Sequence, residues 1–365
     1  TMVALGRRPT PRVPDNFNPD VVLLELGKQA TSEPRVLVDR VGGDDAPELS
    51  PDGKTLAFMT ADGDVDWAGE SHIAVVPVEG GEPKVVSRAY NRSARFYEWA
   101  PDGKGFYFHG PFKTSSQLYS LDLASQELTD LSKTEGIINS GDFAPEHDLV
   151  AFAWETLNQP PEVYVSRIAS FEPRRLSNHN QALENRNIGE TVVIRWKNPE
   201  DGLEIEGLLT LPVGYQADQG PVPLLTFAHG GPASFFDEGF LGYLYYVYPT
   251  HVFAARGYAV LRPNPRGSGA YGEPFKRANR SDWGGLDYVD IQSGIDRLIE
   301  QGIADPEKLG FMGWSYGGFM TSWTITQTDR FAAASIGAPV TDLFSFQGSA
   351  DIPGFIPSYF EGLPY

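Results

Sequence analysis

Ser315 stands in Gly313-Trp314-Ser315-Tyr316-Gly317-Gly318, directly after the apolar run Lys308 to Met312 and before Phe319 to Thr326, which can continue as a helix. A serine on a sharp strand-to-helix turn lifts its Oγ clear of a sheet. The residues two before and two after it must be small for neighbouring backbone to pass, and Gly313 and Gly317 meet that demand. A bare G-x-S-x-G among 39 glycines is a modest signal, so the flanking strand and helix carry the reading. The chemistry served is attack of a hydroxyl on a carbonyl carbon, which creates an oxyanion needing two preorganised N–H donors. Tyr316, the residue after the nucleophile, supplies one. The pair Gly230-Gly231 in His229-Gly230-Gly231-Pro232, at the end of the apolar run Pro223 to His229, lets a substrate carbonyl approach backbone closely and supplies the other.

The elements that hold these motifs alternate between strands and helix-like segments from about Ile188, the pattern of an α/β domain. Thr191 to Trp196 and Leu203 to Leu211 read as antiparallel strands. Pro223 to His229 and Ala259 to Pro263 read as buried parallel strands. Gly239 to Arg256 reads as an aromatic-rich helix, and Asp287 to Gln301 as a helix with Ile291, Ile295, Leu298 and Ile299 on one face. Asp305-Pro306 reads as a turn before the nucleophile strand. Gly267-Ser268-Gly269-Ala270-Tyr271-Gly272 has the G-x-G-x-x-G spacing of a dinucleotide loop. Pro274 and the polar run Lys276 to Asp282 separate it from a long helix, so no nicotinamide cofactor is expected. Arg266 in that loop is read as structural or substrate-facing.

The first half repeats. Ser50-Pro51-Asp52-Gly53-Lys54 and Ala100-Pro101-Asp102-Gly103-Lys104 each precede a strand, with a degraded copy at Ala144-Pro145-Glu146-His147-Asp148. His72 to Ser87, Gln117 to Ser132 and Glu162 to Ser177 each read strand, polar turn, strand, and begin 45 residues apart. That period, with Asp-Gly supplying left-handed turn backbone, fits β-propeller blades. Residues 21 to 38 read as the closing half of an earlier blade, giving about three and a half blades, below the number of about four that closes a ring. The expected division is a partial β-propeller over 1–183 and a partial α/β-hydrolase domain over 184–365, the second lacking its C-terminal strands.

Composition narrows the chemistry. With 29 basic and 48 acidic residues the formal charge is −19, which repels phosphate backbones and anionic lipid, so neither nucleic acid nor membrane is an expected partner. Zero cysteines remove disulfides, thiolate nucleophiles and Cys-held metal. No apolar run approaches the length of about 18 residues that a membrane span needs. The cytoplasm is the expected compartment, with the periplasm as the alternative. The leading Thr1 reads as a start that is not the native one.

Taken in order, the blade repeats, HGGP (229–232), NPRGSGAYG (264–272), DWGGLDYVD (282–290), DPEKLGFMGWSYGGFMT (305–321) and APVTD (338–342) resemble the prolyl oligopeptidase family of serine peptidases, on its acylaminoacyl-peptidase and dipeptidyl-aminopeptidase-like side. The resemblance implies a catalytic domain capped by a seven-bladed propeller that admits short or unstructured peptides, and catalysis with no cofactor or metal. By motif it implies Ser315 as nucleophile, Tyr316 and Gly231 as oxyanion donors, and Gly230 beside the substrate. Val340, Leu343 and Phe344 would line an apolar S1 pocket flanked by Trp314 and Tyr316.

One departure is serious. The triad order of an α/β-hydrolase is Ser, then Asp or Glu, then His, yet the six histidines, at 72, 109, 147, 179, 229 and 251, all precede Ser315. Asp342 follows a strand but leaves the imidazole absent. The triad acid and His are therefore expected beyond Tyr365, in a chain cut at both ends. A homo-oligomer and a complementing C-terminal segment stay open as protein partners. A peptide-binding protein without cleavage and a carboxylesterase are the alternatives, and the choice between exopeptidase and endopeptidase is left open.

Overall fold

A computed structural model describes residues 2–10, 18–26, 33–63, 66–144, 148–184, 186–242 and 246–362. The first half forms four antiparallel sheets in sequence. One has three strands (Met2–Arg7, Asp20–Glu25, Arg35–Val38), and three have four strands each, beginning at Asp44, Arg95 and Ile137. The first sheet thus has one strand more than the closing half expected, because Met2–Arg7 pairs with Asp20–Glu25 along its whole length. The Pro-Asp-Gly turns form as read. Gly53 and Gly103 both sit at φ 68°, and Asp52 and Asp102 each accept from the backbone N–H two residues on at 3.0 Å. Residues 145–147 of the third copy lie outside the described residues.

Beyond the one-turn helix Gln181–Glu184, which contains the expected domain boundary, the second half is a six-stranded sheet. Its strands are numbered β1 (Thr191–Lys197), β2 (Glu204–Thr210), β3 (Val222–Ala228), β4 (Ala259–Asn264), β5 (Ala304–Trp314) and β6 (Phe331–Gly337), and they lie in the order β1-β2-β4-β3-β5-β6. β1, β2 and β4 pair antiparallel, and β4, β3, β5 and β6 pair parallel. The helices of this half are α1 (Thr250–Ala254), α2 (Glu273–Lys276), α3 (Leu286–Glu300), α4 (Tyr316–Gln327), α5 (Leu343–Ser349) and α6 (Phe355–Tyr359).

α3 lays Ile291, Ile295 and Leu298 on Leu224, Leu261, Leu309 and Phe311 of the sheet, the apolar face its periodicity predicts. β5 starts at Ala304, earlier than expected. Its ladder with β3 skips from Ala304 to Leu309, so the Asp305-Pro306 turn survives as a bulge, with Asp305 accepting from the Glu307 N–H at 3.0 Å.

The helix expected over 239–256 is only α1 here, and 243–245 lie outside the described residues. The reason is packing: Tyr248 of this segment, with Phe236 before it and Val260 after it, buries against Phe227, which fixes irregular backbone in place of a helical period. The Tyr248 hydroxyl donates to Ala228 O at 2.9 Å and accepts from the Trp314 N–H at 3.2 Å, so one side chain ties the ends of β3 and β5 together.

Blade loops close over the same end of the sheet. The Lys113 N–H donates to Ala270 O, the Glu238 N–H to Thr114 O and the Glu273 N–H to Asn91 O. Glu238 accepts from the Thr114 hydroxyl and the Gly136 N–H, both at 2.7 Å.

Candidate active site

Ser315 follows the last residue of β5 and is the N-cap of α4, with φ 59° and ψ −118°. That backbone costs about 1–3 kcal/mol for a residue with a Cβ. It is held by the Ser315 N–H on Gly337 O at 3.0 Å and the Phe319 N–H on Ser315 O at 2.9 Å. The glycine requirement is visible in the packing. A Cβ on Gly313 would lie 2.3 Å from Gly317 O, and one on Gly317 would lie 2.1 Å from Ala228 O. The elbow and the end of β3 are therefore in backbone contact.

That contact delivers the His-Gly-Gly loop to the nucleophile. A Cβ on Gly230 would stand 3.5 Å from Ser315 Cβ and 3.2 Å from Trp314 O. Gly231 has φ 118°, and a Cβ there would meet Ala233 N at 2.4 Å. As the first residue of α4, Tyr316 has an N–H with no helix carbonyl four residues back. Gly230, Gly231, Ser315 and the Tyr316 backbone thus share one locus.

His229 is no base for Ser315. It is buried, with Nδ1 2.8 Å from Gly230 O and Nε2 2.9 Å from Ser268 Oγ, and burial pushes it down to about 4. Its two ring nitrogens are held between Gly230 O and Ser268 Oγ, whose own hydroxyl proton goes to Pro265 O at 2.6 Å, so this buried ring braces the loop. His251, on α1, is also pushed down to about 4, first by burial and then by Arg262. Among the described residues no histidine bonds Ser315 Oγ, and His147 lies outside them. The Asp342 carboxylate caps α5, accepting from the Ser345 N–H at 3.1 Å.

The glycine loop 264–272 faces protein. A Cβ on Gly267 would lie 2.3 Å from Asn279 Nδ2 and one on Gly269 2.7 Å from Ala233 O, which leaves no cradle for a pyrophosphate. A helix does open after Gly272, but it is the single turn α2. Arg266 is buried and structural. It forks onto Asp290 at 2.8 and 2.9 Å and reaches Asp201 at 2.8 Å, contacts that raise its pKa against the opposing effect of burial.

Of the expected S1 residues, Val340 is buried and Leu343 packs at the edge of the Phe355–Tyr359 cluster, while Phe344 is 63% exposed. Trp314 is 51% exposed and lays its ring over Gly337, where a Cβ would come within 2.3 Å of Cε3. Two residues of this site carried no role in the sequence reading: Tyr248, the strand tie, and Asp287, whose buried carboxylate accepts from the Tyr316 hydroxyl. Neither belongs to a motif that names a contact.

Residues 245–364 match the profile described as the Prolyl oligopeptidase family. The chain is 31% identical over 262 residues to the uncharacterized peptidase YuxL of Bacillus subtilis, covering 72% of this chain and 38% of that one. It is 23% identical over 327 residues to dipeptidyl-peptidase 5 of Porphyromonas gingivalis, covering 89% and 46%. Among solved structures it is similar to an acylaminoacyl peptidase in complex with Z-Gly-Gly-Phe-chloromethyl ketone, with a TM-score of 0.77 at 25% identity, over 98% of this chain and 53% of that one. The acylaminoacyl peptidase of Pyrococcus horikoshii gives 0.77 at 24% identity over 96% and 52%. The chain spans about half or less of the length of these relatives. Its architecture is that of propeller blades followed by an α/β-hydrolase sheet, and the chain belongs to the prolyl oligopeptidase family.

Proposed function

We propose that the protein is a serine peptidase that hydrolyses short peptides, of acylaminoacyl- or dipeptidyl-peptidase type, through an acyl-enzyme on Ser315. Ser315 Oγ attacks the scissile carbonyl carbon and gives its proton to an imidazole. The N–H groups of Tyr316 and Gly231 hold the resulting oxyanion. Collapse expels the amine, which takes that proton, and water then releases the acyl group by the same steps. The imidazole comes from a segment following Tyr365, in the chain order of α/β-hydrolases. The observation that carries the reading is the approach of Gly230 to the Ser315 side chain, which sets the glycine loop and the elbow around one reacting atom. Blade loops over the same end of the sheet favour a peptidase over a carboxylesterase.

A fluorophosphonate probe should label the full-length protein at Ser315 alone, and labelling that survives Ser315→Ala sinks the assignment. The 365-residue chain by itself should leave acyl-alanine and alanyl chromogenic peptides uncleaved, and adding the C-terminal segment should restore turnover. The alternative is a peptide binder that does not cleave; a full-length protein that binds peptides but neither labels nor turns over would establish it.

A further inference from the structure

The segment 282–290, Asp-Trp-Gly-Gly-Leu-Asp-Tyr-Val-Asp, carries no role in the mechanism above. Asp290 holds Arg266 and thereby the loop 264–272. Asp287 does something different. It enters the first turn of α3 fully buried, with Oδ1 accepting from the Gly284 and Tyr288 N–H groups at 2.8 Å each and Oδ2 accepting from the Tyr316 hydroxyl. Asn279 Nδ2 reaches the same hydroxyl at 3.4 Å. The Tyr316 ring is wedged edge-on against Trp283, centroids 4.9 Å apart, and stacks on Phe319 at 6.0 Å.

We infer that Asp287 is a positioning residue for the oxyanion donor of Tyr316: by holding the phenol at the far end of a rigid ring, it fixes the direction in which the Tyr316 backbone N–H points. The inference rests on the serine-peptidase reading above. Tyr has two side-chain torsions, so pinning its hydroxyl leaves its Cα little freedom. The peptide group of residue 316 is also the hinge of the elbow, where Ser315 already holds an unfavourable backbone. A carboxylate in an apolar interior is costly, and a mere space-filler would not need one. Burial pushes Asp287 up to about 7, against the opposing pull of the Tyr316 hydroxyl, the Gly284 and Tyr288 N–H groups and the Asn279 amide, so the anchor is an acceptor whose charge depends on its neighbours.

The test uses the full-length protein with Asp287→Asn, Tyr316→Phe and the double variant. Three quantities are read: kcat and KM on an acyl-alanyl chromogenic peptide, affinity for a peptide boronic acid, whose oxygen mimics the oxyanion on Ser315, and affinity for the product-like acyl-alanine. Tyr316→Phe keeps the ring and the backbone and loses only the hydroxyl, so it remains informative if Asp287→Asn folds poorly. Each single variant should lower kcat and boronate affinity together by about tenfold to a hundredfold, with KM and acyl-alanine affinity little changed, because a misdirected donor weakens only the tetrahedral state. The double variant should be no worse than the more damaged single, since both remove one contact. A well-folded Tyr316→Phe with wild-type kcat and boronate affinity overturns the inference. So does a loss spread equally over acyl-alanine binding, boronate binding and thermal stability, which is what a simple core brace gives. If the wild-type protein itself neither cleaves the peptide nor binds the boronate, the peptidase reading has failed, and this inference with it.

Discussion

Replacing Gly317 with alanine puts a methyl carbon 2.1 Å from Ala228 O, 2.8 Å from Ala228 C and 2.9 Å from His229 O, all backbone atoms that cannot swing aside as a side chain would. Ordinary contact begins near 3.4 Å, so the elbow and the end of β3 must part by more than about 1 Å. Gly317 is helical, on α4, so its own backbone angles tolerate alanine and the cost is purely steric. Overpacking of this kind costs about 1–3 kcal/mol of stability. The larger effect falls on the site. Ala228 leads directly into His229-Gly230-Gly231, so moving it carries the Gly231 N–H away from Ser315, and a displacement of about 1 Å at reacting groups costs on the order of a hundredfold. Two measurements separate these effects: thermal unfolding of the chain, and the second-order rate of fluorophosphonate labelling of Ser315 in the full-length protein. Gly348→Ala is the control, since its Cβ would meet nothing within 4 Å on α5. It should leave labelling alone and hold or raise stability by up to about 1 kcal/mol. A Gly317→Ala protein that labels and melts like wild type would refute the claim that β3 and the elbow are in backbone contact.

Asp290→Ala should destabilise by about 3–5 kcal/mol in denaturant titrations, because it strands a buried Arg266 guanidinium; a change below about 1 kcal/mol would show that Asp201 alone suffices. His229 is depressed from 6.5 to about 4, so the unfolded chain takes up a proton at this site in that window and the folded chain does not. Its contribution to stability is full above 6.5 and is lost as pH falls toward 4, to a total of about 3 kcal/mol. His229→Gln should therefore flatten the acid limb of stability against pH by up to one proton relative to wild type, and an unchanged slope would contradict the burial of a neutral ring. Gly103→Ala, at φ 68° in a blade turn, should cost about 1–2 kcal/mol with no effect on labelling, as read by thermal melts and probe kinetics.

What could be read from the chain in one dimension was what depends on near neighbours. The blade turns were legible because Asp-Gly supplies both a left-handed residue and a carboxylate that reaches the N–H two residues on, and the same local physics recurs from Asp52 to Asp102. The elbow was legible because its steric demand falls on residues two before and two after Ser315. The face of α3 was legible because 3.6-residue periodicity is local. Contacts between distant residues were not. Gly239 to Arg256 read as an aromatic-rich helix, but Phe236, Tyr248 and Phe253 are drawn to Phe227 on β3, and that competition cannot be weighed without knowing where β3 lies. His229 sits in a motif that announces chemistry, and only its burial against Ser268 and Gly230 O shows a neutral brace. Asp287 and Tyr316, 29 residues apart, meet because β5 and α3 are adjacent layers of one sheet-and-helix sandwich. A buried carboxylate and a buried phenol find each other through the exclusion of water, which is a property of the packed interior and of no single stretch of chain.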